Sequence, residues 1–123
     1  MKLILTVGIG SFFGGMLRYI ISMCVHQGLS FKFPSGTFIV NIIGCFLIGI
    51  VFEASTKLSI DRQLVLFSTT GLLGGFTTFS AFTFETVTMV REGQLANAAC
   101  YLLASVMIGL LATYAGILLI KSF

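Results

Sequence analysis

Apolar residues fill four long blocks of this chain, and polar residues gather in the short stretches between them. The blocks run from Leu3 to about His26, from Thr37 to Phe52, from Gln63 to Phe84 and from Leu95 to Ile120. A helix that crosses a bilayer needs roughly 17–25 mostly apolar residues. The third and fourth blocks meet that length outright. The second meets it if Pro34, Ser35 and Gly36 form its first turn, a position proline commonly takes. The first block has Arg18 inside it, and Lys2 followed by apolar residues gives it the opening of a secretory leader. Its core continues through Gly14-Gly15-Met16-Leu17-Arg18-Tyr19 with no convincing small-residue cleavage site, so it reads as a retained helix. The pattern predicts an all-α membrane protein, with residues 1–123 forming one four-helix transmembrane domain.

The third block is interrupted in a way the others are not. Gly74-Gly75-Phe76-Thr77-Thr78-Phe79-Ser80-Ala81-Phe82 combines paired glycines with hydroxyls in an uncharged run. Hydrocarbon offers no water to satisfy backbone groups that a broken helix frees. Such a break persists where the backbone faces protein or a wet cavity, and in transporters it marks where an ion or substrate sits. The third helix is therefore expected to be broken near Gly74–Thr78.

Composition narrows the class further. Hydrophobic residues make up 57% of the chain, charged residues 9%, and the mean hydropathy is +1.09. Soluble domains average about 25% charged residues, so a lipid bilayer is the expected partner and no soluble part remains to host a cofactor. Cys24, Cys45 and Cys100 lack metal-ligand spacing and read as small apolar side chains. His26 sits at a membrane edge, no carboxylate pair lies at mid-membrane depth, and the first-helix glycines follow no strand. The chain carries no enzyme signature. Its net charge of +3 comes from seven scattered basic residues, which form no patch for nucleic acid.

Those basic residues bear on topology instead. With four spans, Lys2, Lys57, Arg62 and Lys121 lie on one side, and Lys32, Arg91 and Arg18 on the other. A clear Lys/Arg excess normally fixes orientation, and this near tie leaves two alternatives: one weakly biased orientation, or insertion both ways. A chain this small encloses little of a pathway alone, so an oligomer is expected; with both orientations present, an antiparallel dimer is the natural assembly.

Candidate site residues lie on all four helices. Arg18 is either a snorkelling interfacial residue or a positive charge at a pore mouth that draws in an anion. Thr37 and Asn41, spaced i and i+4, share a face. The Asn41 amide, with two uncharged donors, is either helix–helix glue or a ligand group. Phe76, Phe79 and Phe82 recur every three residues among Thr77, Thr78, Ser80 and Thr83. Phenyl rings carry electropositive edges, so they can meet an anion while excluding water. Tyr101 and Ser105 form a further i, i+4 pair of hydroxyls. Glu85 lies either near the interface or against a buried donor.

Three motifs carry a resemblance. They are Gly14-Gly15-x-x-Arg18-Tyr19, then Pro34-x-Gly36-Thr37-x-x-Val40-Asn41-x-x-Gly44-x-Phe46-x-x-Gly49, then Gly71-x-x-Gly74-Gly75-x-Thr77-Thr78-Phe79-Ser80-x-Phe82-x-x-Glu85. In this order and spacing they closely resemble the Fluc, or CrcB, fluoride channel family over essentially the whole chain. The resemblance implies an antiparallel, dual-topology homodimer in the inner (plasma) membrane, with two pores that pass fluoride by passive electrodiffusion and protect the cell from its toxicity. It implies fluoride contacts from Asn41, Phe79 and Phe82, with Ser80, Thr83, Tyr101, Ser105 and Thr37 beside them and Arg18 at the vestibule. It also implies a structural sodium ion (Na+) at the dimer centre, held by the backbone carbonyls of Gly74 and Thr77. Ala81 stands where a hydroxyl is usual in the family, and Phe76 where an aliphatic residue is common.

A small four-helix proton-coupled multidrug exporter is the competing expectation. It requires a titratable carboxylate in the membrane interior, whereas Glu53, Asp61, Glu85 and Glu92 all fall close to predicted helix ends. A non-transporting assembly factor would leave the interleaved phenylalanines and hydroxyls unexplained.

Overall fold

The computed structural model of the chain describes residues 1–28 and 33–123. Lys32, counted above among the loop charges, lies outside the described residues. Among the described residues, four helical spans are long and apolar enough to cross a membrane: Lys2–His26, Ser35–Lys57, Arg62–Arg91 and Leu95–Lys121. No strand occurs among the described residues. Backbone hydrogen bonds closed within each segment are what a bilayer demands.

Helix α1 covers Lys2–Gly28 and α2 covers Ser35–Lys57, extending the predicted second block at both ends. The third span is composite. It starts as α3 (Arg62–Leu66), widens into a π-helical stretch at Phe67–Leu73, tightens to one turn as α4 (Gly74–Phe76), breaks, and resumes as α5 (Phe79–Arg91). Helix α6, Leu95–Lys121, closes the bundle.

Local chemistry sets these boundaries. The Asp61 side chain accepts from the Gln63 backbone N–H at 2.8 Å and starts α3, a standard N-cap arrangement. Between α5 and α6 the chain reverses at Gly93, whose φ of +76° suits glycine. There the Gly93 N–H bonds to the Val90 carbonyl and the Gln94 N–H to the Met89 carbonyl. This crossed pair closes a helix end in a Schellman motif.

Helix α2 packs along α6, and α1 along the π-helical stretch and α4. Small residues let the backbones touch. A Cβ at Gly116 would collide with the Phe46 backbone, and one at Gly14 with the Leu72 and Phe76 backbones. Close approach through small residues is how membrane helices gain packing without a hydrophobic driving force. The buried core is small: Val40, Leu73 and Phe76 form one cluster, and Met89, Ala98 and Tyr101 another. Ile4, Leu5, Phe12, Phe13, Leu110 and Leu111 are all exposed, an outward apolar surface suited to lipid.

The break falls at the far end of the predicted window. Gly74 and Gly75 remain helical, and the extended residues are Thr77 (φ −85°, ψ 158°) and Thr78 (φ −148°, ψ 116°). Gly75 serves packing instead: a Cβ there would meet the Ser11 backbone. Beyond the break, α5 runs on past Phe84 to Arg91, stitched by Thr86 and Thr88 hydroxyls that bond to the carbonyls of Phe82 and Phe84. Glu85 therefore lies inside the third span and not at its expected helix end, and of the two alternatives read from the sequence it takes the place against buried donors.

Candidate functional site

Asn41 holds the break open. Its Nδ2 donates to the Thr78 carbonyl at 3.0 Å, and the Thr78 N–H donates to its Oδ1 at 2.8 Å. One side chain thus replaces both partners that a continuous helix would have offered Thr78. One Asn41 N–H remains beyond this clamp. The Thr78 hydroxyl then caps α5 by accepting from the Ala81 N–H at 3.2 Å.

These two substitutions have a consequence for the preceding turn. In an uninterrupted helix the Thr78 N–H would bond to the Gly74 carbonyl and the Ala81 N–H to the Thr77 carbonyl. Both donors are diverted, to Asn41 and to Thr78 Oγ1. The carbonyls of Gly74 and Thr77 are left out of the ladder, within three residues of each other.

A cavity of about 460 Å³ opens at this point, lined among others by Asn41, Gly74, Thr77, Phe79, Phe82 and Ser105. Gly44 and Cys45 of α2 also contribute to its wall. None of its lining residues carries a formal charge at neutral pH. The Ser105 hydroxyl is buried with no hydrogen-bond partner among the described residues. A buried unpaired hydroxyl is uncommon and calls for a ligand or water. Phe79 lies at the rim, 77% exposed, its ring centroid 5.8 Å from that of Phe82. The N-terminus of α5 also ends here, bringing the positive end of a helix dipole to the cavity.

Thr37 and Tyr101 belong to a second arrangement. The Thr37 hydroxyl donates to Glu85 Oε1 at 2.6 Å and the Tyr101 hydroxyl to Glu85 Oε2 at 2.8 Å. Glu85 thus joins α2, α5 and α6 through both carboxylate oxygens. A second cavity, of about 680 Å³, lies beside it, lined by Thr37, Glu85, Phe33, His26 and Glu92 among others. Tyr101 is fully buried between the cavities, with the Phe82 ring 5.1 Å away.

Other residues expected at the site lie apart from both cavities. Ser80 is exposed, and its hydroxyl is 3.2 Å from that of Thr78. The Thr83 hydroxyl returns to the Ser80 carbonyl at 3.0 Å. Arg18 is half-buried on α1 and lines neither cavity. The Tyr101–Ser105 pair does not act as a unit, since Tyr101 turns to Glu85 and Ser105 to the cavity at the break. Gly109, one turn further along α6, packs against the Cys45 side chain.

Sequence reasoning named Glu85 and Thr78 but assigned neither its partner. A signal for both was present: Thr78, the N-cap of α5, and Glu85 within it are seven residues apart, and Asn41 and Thr37 are one turn apart on α2. The donors and acceptors match across the two helices, but only the packed bundle shows which partner each one takes.

Comparison with known proteins bears on the whole chain. Residues 5–117 match the family described as CrcB-like protein, Camphor Resistance (CrcB). The fluoride-specific ion channel FluC of Phocaeicola vulgatus is 37% identical over 117 residues, covering 95% of this chain and 97% of that protein. The protein of the same name from Methylobacillus flagellatus is 40% identical over 122 residues, covering 96% and 94%. That from Roseiflexus sp. is 43% identical over 114 residues, covering 92% of each.

Proposed function

The chain belongs to the CrcB family, and from that premise we propose that it is a fluoride-selective channel, conducting by passive electrodiffusion and relieving the cell of toxic fluoride. The observation that carries this reading is the uncharged wall of the cavity at the break. Fluoride is small and strongly hydrated, and burying an unpaired ion in a low-dielectric medium costs tens of kcal/mol in the idealised limit. A pore must replace that water yet let the ion leave. The remaining Asn41 N–H, the Ser105 hydroxyl, the α5 N-terminus and the ring edges of Phe79 and Phe82 supply donors without a fixed cation that would trap the anion. Thr37, Tyr101 and Glu85 continue the polar route towards the second cavity. Arg18 would serve at the vestibule, where an approaching ion sheds its outer water, and Ser80 and Thr83 would flank the Phe79 and Phe82 rings.

We further infer a homodimer, with the two copies antiparallel and two pores per dimer, in the inner membrane, each chain a single four-helix domain. Two features support it. The exposed Phe79 ring leaves the cavity open on one side in a single chain. The carbonyls of Gly74 and Thr77, out of the helical ladder, fit a hard cation such as sodium, which prefers several oxygen ligands. One chain offers two such oxygens, and two-fold symmetry would double them at an axial site. A bound sodium ion would add positive charge near the pathway without occupying it.

A proton-coupled exporter is favoured by one observation, the Glu85 carboxylate within the span. Liposome transport separates the two readings. Potassium-loaded vesicles holding the protein should release fluoride rapidly once valinomycin is added, and retain chloride. No fluoride release at any protein density would reject the channel, and movement of organic cations driven by a pH gradient would favour the exporter. Cysteines introduced at helix ends should label from both faces, whereas labelling from one face only would exclude dual topology.

A further inference from the structure

Aromatic rings connect the two cavities in an unbroken series. Phe79 and Phe82 line the cavity at the break. The Phe82 ring lies 5.1 Å from Tyr101, and Tyr101 lies 5.1 Å from Phe33 in an edge-on contact at 83°. Phe33 also meets Phe38 edge-on, at 5.6 Å and 72°. Phe33 in turn lines the second cavity, beside Thr37 and Glu85. It is the ring at which the series reaches that cavity.

Its backbone is held in place. The Ser35 N–H donates to the Phe33 carbonyl at 2.7 Å, with Pro34 between them at φ −75° and ψ 64°. These values define an inverse γ-turn, and the pyrrolidine ring restricts φ. The turn fixes Phe33 to the first residue of α2, two positions before Thr37. The Phe33 ring then packs against Tyr101, whose hydroxyl ends on Glu85.

We propose that Phe33 is a positioning residue of the pathway: its edge-on contact keeps the Tyr101 hydroxyl on Glu85, beside the second cavity. The assignment rests on the channel reading above. An aliphatic side chain at this position keeps the site apolar but gives up the planar contact and the ring quadrupole that orient an aromatic neighbour. Tyr101 then gains rotational freedom, and the hydrogen bonds to Glu85 lose their shield from the cavity.

Fluoride efflux from liposomes should be measured for wild type, F33L, F33W, Y101F and F33L/Y101F, with chloride efflux alongside. F33L should conduct fluoride at least tenfold more slowly than wild type, and F33W should recover to within about threefold. The double variant should be no slower than Y101F alone, because interacting residues are non-additive where independent ones add. A wild-type rate for F33L, or losses that multiply in the double variant, would overturn the proposal. If F33L fails to fold, F33M and F33M/Y101F carry the same comparison. A wild-type protein that passes no fluoride rejects the channel reading itself; conduction by wild type and F33L alike rejects only the role of Phe33.

Discussion

Replacing Asn41 with alanine tests whether one side chain holds the helix break. The substitution removes the donor to the Thr78 carbonyl and the acceptor for the Thr78 N–H together. Each buried polar group left without a partner costs about 1–3 kcal/mol, and bilayer interior offers no water as a substitute. Loss of the acceptor alone should therefore ease local opening at Thr78 by roughly 5- to 150-fold, the equivalent of about 1–3 kcal/mol. Hydrogen exchange followed by mass spectrometry in lipid nanodiscs would read this as faster exchange in peptides spanning Thr78. Fluoride efflux should fall at least tenfold, because the cavity loses a donor as well as its frame. N41D separates the two roles: its carboxylate still accepts from the Thr78 N–H, so protection should largely survive, while the added negative charge should abolish anion flux. Unchanged exchange at Thr78 in N41A would refute the clamp. Normal fluoride flux in N41D would refute the assignment of the cavity to an anion.

Three further outcomes follow from the geometry. F79I and F82I should each reduce fluoride efflux by at least tenfold while leaving size-exclusion elution unchanged; undiminished flux in both would remove ring edges from the pathway. E85A strands the Thr37 and Tyr101 hydroxyls and should lower stability, read in a thermal melt, by about 2–6 kcal/mol, each buried polar group left without a partner costing roughly 1–3 kcal/mol. E85Q, which keeps an acceptor in place, should recover part of that loss in the same thermal melt. G116V drives a branched side chain into the Phe46 backbone, where neither helix can yield without separating. Overpacking of this kind costs typically 1–3 kcal/mol and sometimes more, and should appear as aggregation on size-exclusion chromatography, whereas G116A should be milder.

Membrane residence, the helical class and the number of spans were legible in the residue order because each rests on a local property. Twenty apolar residues in a row prefer lipid whatever surrounds them, and in lipid the backbone must satisfy itself. The existence of a break was legible for the same reason, since glycines and hydroxyls are costly in an unbroken lipid-facing helix. Its location was not. Gly74 and Gly75 are the weaker helix formers, yet the chain opens at Thr77–Thr78, because Asn41, thirty-seven residues away in sequence, supplies the partners Thr78 gives up. Gly75 is held against α1, where a Cβ would meet the Ser11 backbone.

The same distinction divides the site. Asn41, Phe79, Phe82 and Ser105 stood out by residue type and converge on one cavity. Ser80 and Thr83 are equally polar but point their hydroxyls back along their own segment. Glu85 read as either an interfacial charge or a partner of a buried donor, and packing made it the junction of three helices. A hydroxyl or carboxylate has the same chemistry wherever it lies on a helix; which groups face one another depends on how the helices cross, and that is decided by close backbone contacts between residues far apart in the chain.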